Sequence, residues 1–230
     1  MRFDSAGSQA TSIQGFLTKP DGKGPFPAVV LLHSCLGLPG TRRSIADMLA
    51  GWGYVALFVD DFTTRGLKET CAVDFPEGIS DAYGALLYLS RLPFVDRNRI
   101  AAIGYSQGAD TALQIAASNF ATLNGASFKI AVAYYPPCGN LIDKRLKIPA
   151  LILIGELDDV TPAADCERLA KQQSNAQLKL VVYPDARHLF DDPALADGKR
   201  LLGMWLQYNP QAAMRSRAEL RKFLASRLGK

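Results

Sequence analysis

With 230 residues, 48% of them hydrophobic and 21% charged, the chain has enough apolar material for one sizeable core, and a single domain over 1–230 is expected. A formal net charge of +4, with no dense Lys/Arg run before the C-terminal segment, argues against nucleic acid as a partner. No apolar run approaches the ~18 residues of a membrane span, and MRFDSAGSQATSIQG lacks the apolar centre of a signal peptide. The chain as it stands is therefore expected off the membrane and in the cytoplasm, or in the periplasm or outside the cell if a leader has been removed.

Met1–Asp4 and Ser12–Thr18 read as an opening β-hairpin, with Asp4–Gln9 as its polar connection. Pro20–Pro27 is a turn-rich approach to Ala28–Leu32, a continuous valine-rich run of the kind found in parallel strands covered on both faces. Thr41–Gly51 has helical spacing through Ile45, Met48 and Leu49, and Tyr54–Val59 is another short apolar run, ending at Asp60. Asp61–Gly78 is long and irregular, and Ile79–Leu92 is helical through Ala82, Leu86, Leu87 and Leu89. A strand starting at Ile100 leads into a helix over Ala109–Asn119. Ile130–Tyr135 and Pro149–Gly155 are two further buried strands, followed by a helix over Pro162–Gln173 and a last strand over Leu178–Tyr183. Asn209 as N-cap and Pro210 at the first helical position open a terminal helix to Leu228, with Gly229 after it. Its Arg215, Arg217, Arg221, Lys222, Arg227 and Lys230 read as a solvated face. Short strands alternating with longer helices predict a mostly parallel α/β sheet with helices on both faces and sites at the carboxyl ends of the strands. There is no internal repeat or low-complexity tract.

The stretch Ile100-Ala-Ala-Ile-Gly-Tyr-Ser-Gln-Gly108 is an apolar strand running into Gly-x-Ser-x-Gly and then a helix, the context of a nucleophile elbow at Ser106. Chance can supply five such residues, so the partners decide. A serine hydroxyl needs an adjacent base, usually a histidine held by a carboxylate, and in the α/β-hydrolase arrangement these follow in the order Ser, acid, His. Of the two histidines, His33 precedes Ser106 and is read as structural, which leaves His188, in the loop after the last strand. Glu156, Asp158 and Asp159 cluster after the preceding strand. Helix N-terminal acids before Pro162 would explain one of them, not three. The oxyanion hole is expected from the backbone N–H of Gln107, which follows the nucleophile, and from the loop His33–Gly37 after the first buried strand, with Cys35 as donor.

The chain resembles the dienelactone hydrolase-type α/β-hydrolases in GPFPAVVLLHSCLG, GWGYVALFVDDFTTRG, LPFVDRNRIAAIGYSQG, LILIGELDDVTP and VVYPDARHLF, in order and over nearly its whole length. The resemblance implies an α/β-hydrolase fold with a mostly parallel central sheet of about seven or eight strands and no large cap domain. It also implies ester or lactone hydrolysis through an acyl-enzyme, with neither metal nor organic cofactor. The family pattern selects Asp158, three after the glycine and four before the proline, over Asp159 and then Glu156. The chain departs from the family where Ser106 replaces a cysteine nucleophile, Ser34 an oxyanion-loop glutamate and Asp192 an arginine that binds the substrate carboxylate. These departures weigh against dienelactone itself. Arg65, in the long loop, is a candidate for binding an anionic group, against the plainer reading of a surface arginine.

In the strand order that the resemblance implies, Cys35 and Cys71 follow neighbouring strands, as do Cys138 and Cys166. Two disulfides are expected, Cys138–Cys166 ahead of Cys35–Cys71, against four free thiols. The expected partner is a small ester or lactone, and the expected state a monomer or homodimer. A peptidase or acyltransferase using the same triad is the alternative chemistry, and a non-catalytic binding module on the same fold the alternative class.

Overall fold

The computed structural model describes every residue except 8–10, 74, 76, 119–122, 124, 175–176 and 230. In chain order the strands of the main sheet are β1 (Arg2–Asp4), β2 (Ser12–Thr18), β3 (Phe26–Leu32), β4 (Val55–Asp60), β5 (Val95–Tyr105), β6 (Phe128–Tyr134), β7 (Ala150–Gly155) and β8 (Leu178–Tyr183). The helices are α1 (Arg42–Gly51), α2 (Gly78–Ser90), α3 (Gln107–Ala117), α4 (Ala163–Lys171) and α5 (Pro210–Leu228). A small hairpin, β9 (Lys199–Leu201) and β10 (Met204–Leu206), stands apart from the sheet.

The eight strands lie in the order β1-β2-β4-β3-β5-β6-β7-β8. β1 and β2 are antiparallel to each other, and β2 is antiparallel to β4, while β3 to β8 are mutually parallel. From β3 the chain goes to β4 on one side and then returns to β5 on the other. That reversal opens a crevice at the carboxyl ends of β3 and β5, where parallel α/β sheets place their sites. Every residue of β4 and of β7 is buried, and successive side chains point to opposite faces, so the sheet is covered on both sides. Trp52, at the end of α1, packs on Arg221 of α5, and the Tyr54 hydroxyl donates to the Gly229 carbonyl oxygen, which places α1 and α5 together. Among the described residues, no cap domain stands over the sheet and no helix is long and apolar enough to cross a membrane.

The elements differ from expectation mainly at their ends. β3 begins two residues early because the Phe26 N–H donates to the Phe94 carbonyl oxygen at 2.8 Å and Phe26 pairs with Val95. β5 starts at Val95 rather than Ile100, passing through a register shift opposite β3. α3 starts at Gln107, directly after Ser106, and its expected end at Asn119 lies outside the described residues, as does part of the connection expected over Asp4–Gln9. The β9–β10 hairpin was not expected. Its two-residue turn puts Leu202 at φ 50° and Gly203 at φ 83°, the left-handed pair that such a turn requires, with an exposed leucine where Asn or Asp is usual. α5 begins as expected, the Asn209 side chain accepting from the Ala212 N–H at 3.0 Å.

Candidate active site

Ser106 sits between the end of β5 and the first residue of α3, at φ 51° and ψ −112°. An L residue rarely adopts this backbone, and here the turn pushes the side chain out above the sheet edge. The Ser106 N–H is tied to β6 through the Tyr134 carbonyl oxygen at 3.0 Å. A side chain at Gly104 would place its Cβ 1.9 Å from the Gly108 carbonyl oxygen, so the strand and helix arms of the turn close only over glycine.

The partners come from the two loops beyond β7 and β8. His188 Nε2 is 3.0 Å from Ser106 Oγ, and His188 Nδ1 is 2.8 Å from Asp158 Oδ2. All three side chains are buried. The acid is itself held: Asp158 Oδ1 accepts from the N–H groups of Val160 at 3.0 Å and Thr161 at 2.8 Å. The Thr161 hydroxyl lies 3.0 Å from Asp158 Oδ2 and 3.2 Å from the Tyr135 carbonyl oxygen. With a carboxylate facing Nδ1, the neutral imidazole carries its proton there and leaves Nε2 free to accept from the serine hydroxyl. The two loops meet where Gly155 has room only for hydrogen, since a Cβ there would lie 2.2 Å from the Ala186 carbonyl oxygen. The His188 loop is anchored by Phe190, fully buried against Tyr134, Tyr135 and Tyr183, and by a bridge from His188 to Leu206 of β10.

The competing acids are engaged elsewhere. Asp159 is exposed and lies 4.0 Å from Arg187, while Glu156 accepts a long bond from the Asp185 N–H at 3.4 Å. His33 does not face Ser106. Its Nδ1 faces the Ser34 carbonyl oxygen at 2.7 Å and its Nε2 lies 2.5 Å from Asp61. Burial alone would lower the pKa of this imidazole, but the hydrogen bond and charge of Asp61 outweigh it and hold the ring above its usual value.

Cys35 and Gln107 line the same cavity as Ser106 and His188. Among the described residues neither backbone N–H meets an acceptor, as expected for a turn residue and the first residue of a helix. Both expected disulfides are present, Cys35–Cys71 with Cα atoms 4.8 Å apart and Cys138–Cys166 with Cα atoms 5.0 Å apart.

The cavity measures about 540 Å³. Its lining mixes apolar side chains, Leu36, Val73, Phe75, Ile79, Met204 and Leu206, with polar ones, Asp110, Thr111, Gln114 and Asn140. No Lys or Arg is among its described lining residues, and Asp110 is the one carboxylate. Asp110 Oδ2 accepts from Gln114 at 2.6 Å, whereas Oδ1 is buried without a hydrogen-bond partner, and burial holds the carboxyl above its usual range.

Arg65, the candidate for an anionic group, is engaged away from Ser106. Its guanidinium makes two bonds to the buried Asp81, at 2.7 and 3.0 Å, donates to the Asp61 carbonyl oxygen, and packs on the Phe75 ring instead of lining the cavity. The positions that depart from the family pattern also have local duties. Ser34 Oγ accepts from the Leu36 N–H, and Asp192 caps the short 3-10 turn Pro193–Leu195. Sequence reasoning missed Thr70, Tyr135 and Thr161, which support the site without facing the reacting atoms. Among the described residues no group of three His, Cys, Asp or Glu side chains converges as a metal site would require.

The family model described as "Dienelactone hydrolase family" matches residues 13–228. A protein from Escherichia coli O157:H7 named "Putative carboxymethylenebutenolidase" is 27% identical over 215 residues, covering 82% of this chain and 77% of that one. Among solved structures, one titled "Putative Dienelactone Hydrolase" from Klebsiella pneumoniae subsp. pneumoniae MGH 78578 superposes with a TM-score of 0.76 at 22% identity, covering 97% of both chains. A dienelactone hydrolase-like promiscuous phosphotriesterase from metagenomic libraries has a TM-score of 0.75 at 23% identity, covering 100% of this chain and 98% of its own. The structural likenesses concern the fold, and the family match spans nearly the whole sequence: the chain belongs to the dienelactone hydrolase family.

Proposed function

We propose that the chain is a serine hydrolase that cleaves carboxylic esters or lactones through an acyl-enzyme. The observation that carries this reading is the continuous chain Ser106 Oγ, His188 Nε2, His188 Nδ1, Asp158 Oδ2, with links of 3.0 and 2.8 Å, opening on a cavity where two N–H groups lack acceptors. In this reading Ser106 Oγ attacks the carbonyl carbon as its proton passes to His188 Nε2. Asp158 holds the ring in the Nδ1–H form and stabilises the imidazolium. The negative oxygen of the tetrahedral intermediate is received by the N–H groups of Cys35 and Gln107. Collapse breaks the ester C–O bond, and the leaving oxygen takes the proton from Nε2. Water then repeats the sequence on the acyl-enzyme, returning Ser106 and the free acid.

The lining argues for a neutral substrate. Among the described lining residues, a carboxylate-bearing ester would meet Asp110 and no cation. The substrate is a small molecule, acted on by a one-domain protein without cofactor, as monomer or homodimer. The test is hydrolysis of short-chain nitrophenyl esters and small lactones, with matched amide, alcohol-acceptor and phosphotriester reactions beside them. Ester or lactone turnover that Ser106→Ala abolishes supports the reading. Amide cleavage or acyl transfer as the faster reaction would replace it, and no Ser106-dependent turnover on any arm would overturn it.

A further inference from the structure

The loop that carries Cys35 has little internal support. The Gly37 N–H donates to the Ser34 carbonyl oxygen at 3.0 Å, and the Leu36 N–H reaches Ser34 Oγ at 3.3 Å. Beyond the contact of His33 Nδ1 with the Ser34 carbonyl oxygen at 2.7 Å, further restraint comes from two consecutive residues of the irregular stretch between β4 and α2. Thr70, only 3% exposed, donates its N–H to the Cys35 carbonyl oxygen at 2.9 Å, and its hydroxyl donates to Gln107 Oε1 at 2.9 Å. Cys71, the next residue, is bonded to Cys35 through sulfur. Three separate links thus run from one dipeptide to Cys35 and Gln107, the two cavity-lining residues assigned above as oxyanion donors. At Cys35 they fix two of the substituents on one Cα: the carbonyl through Thr70 and the Cβ through the disulfide. The third heavy-atom substituent is the amide nitrogen, whose position follows from the other two, so that its N–H is left to swing only about the N–Cα bond.

We propose that Thr70–Cys71 is a clamp that aims the oxyanion donors, with Thr70 as a positioning residue and the Cys35–Cys71 bond as a redox-sensitive part of the same device. The proposal rests on the serine hydrolase reading. Its two halves have separate handles, because the disulfides differ in access. Cys35 and Cys71 are half-buried and line the cavity, whereas Cys138 and Cys166 are 1% and 0% exposed. A small dithiol therefore reduces Cys35–Cys71 first. Two electrons and two protons pass from the dithiol, the S–S bond breaks to two thiols, and the dithiol closes to its own cyclic disulfide. The Cys35 loop then keeps its Thr70 bond but loses its covalent tie.

Losing a whole oxyanion donor costs about 10²–10³ in kcat, so a donor left in place but misaimed is expected to cost roughly tenfold. The experiment measures a neutral nitrophenyl ester with Thr70→Val, which removes the hydroxyl, and Thr70→Ser, which keeps it. Rates are normalised to active enzyme by fluorophosphonate titration. A trifluoromethyl ketone serves as the analogue of the tetrahedral adduct, and the wild type is assayed before and after dithiothreitol. Expected are a roughly tenfold loss of kcat/KM in Thr70→Val, a parallel loss of ketone affinity, near-recovery in Thr70→Ser, and unchanged affinity for the carboxylic acid product. Mild dithiothreitol should lower wild-type turnover reversibly, with two thiols per chain appearing at Cys35 and Cys71, and leave a Cys35→Ser/Cys71→Ser double variant insensitive.

Ester turnover and ketone affinity that stay within twofold in Thr70→Val and in reduced wild type overturn the clamp, whatever the stability of the variants. Absence of all Ser106-dependent turnover strikes the hydrolase reading instead. The reduction arm uses the native chain, so a Thr70 variant that fails to fold leaves that decision intact.

Discussion

Replacing Asp158 with asparagine tests the site at the point where its geometry is most constrained. The two carboxylate oxygens face different neighbours. Oδ1 accepts from two backbone N–H groups, of Val160 and Thr161, and Oδ2 faces His188 Nδ1 at 2.8 Å. An asparagine must put its NH₂ at one of these positions. Placed at Oδ1 it would confront two N–H donors, so the amide oxygen goes there and the NH₂ turns toward His188. The Thr161 hydroxyl does not oppose this, because it can donate to the Tyr135 carbonyl oxygen at 3.2 Å while accepting from the amide. His188 then accepts at Nδ1 and carries its proton on Nε2, facing Ser106 with no lone pair to take the hydroxyl proton. In a serine protease the equivalent tautomer error costs about 10⁴-fold in kcat, and a loss of that order is expected here. Asp159→Asn, whose carboxylate faces only Arg187 at 4.0 Å, should stay within about twofold. The assay is steady-state turnover of a neutral nitrophenyl ester, with thermal unfolding to show that both variants fold. Near-normal turnover in Asp158→Asn with loss in Asp159→Asn would refute the assignment of the acid.

Two further predictions concern charge. Burial pushes the Asp191 carboxyl up to about 6 from 3.8, despite the hydrogen bond it accepts from Tyr135 at 2.8 Å. Because the folded state holds this proton more tightly than the unfolded chain, the group costs stability as pH rises from about 4 through 6, by up to about 3 kcal/mol. Asp191→Asn keeps the acceptor and cannot ionise, so by urea unfolding its stability relative to wild type should improve between pH 4.5 and 7.5; a constant difference would contradict the account. His33, held above its usual pKa, also loses stabilisation as pH rises, which is why the variant and not the wild-type slope is decisive. For substrates, a like charge about 8–10 Å from Asp110 is worth about 1–2 kcal/mol at an effective dielectric near 20, less where water enters. A neutral ester should therefore exceed an isosteric anionic hemiester in kcat/KM by roughly tenfold. Asp110→Asn should narrow that ratio, and an anionic ester preferred by wild type would defeat the neutral-substrate reading.

The parts of this site legible in the sequence are those where chemistry leaves few residue types. A sharp strand-to-helix turn needs glycines around Ser106, and with His33 upstream only His188 stood after the last strand. The buried strands were equally plain, since a strand covered on both faces has no polar alternation to hide it. What escaped depends on tertiary contact. Thr70 and Thr161 are ordinary residues in loops, and their roles come from facing Gln107 and Asp158. Arg65 looked free because its partner lies sixteen residues on, yet Asp81 within the apolar run ISDAYGALLYL was a signal that a buried acid needs a cation. The β9–β10 hairpin escaped because Leu202 and Gly203 do not announce a left-handed turn, although Met204 and Leu206 from it complete the cavity wall.

The central claim is that Ser106 is the nucleophile and His188 its base. It is tested most directly by reacting the native chain with a fluorophosphonate and locating the adduct by peptide mass. The account predicts one adduct per chain, on Ser106, formed quickly in wild type and orders of magnitude more slowly in His188→Gln. An unmodified Ser106, or labelling at the same rate without His188, would contradict it.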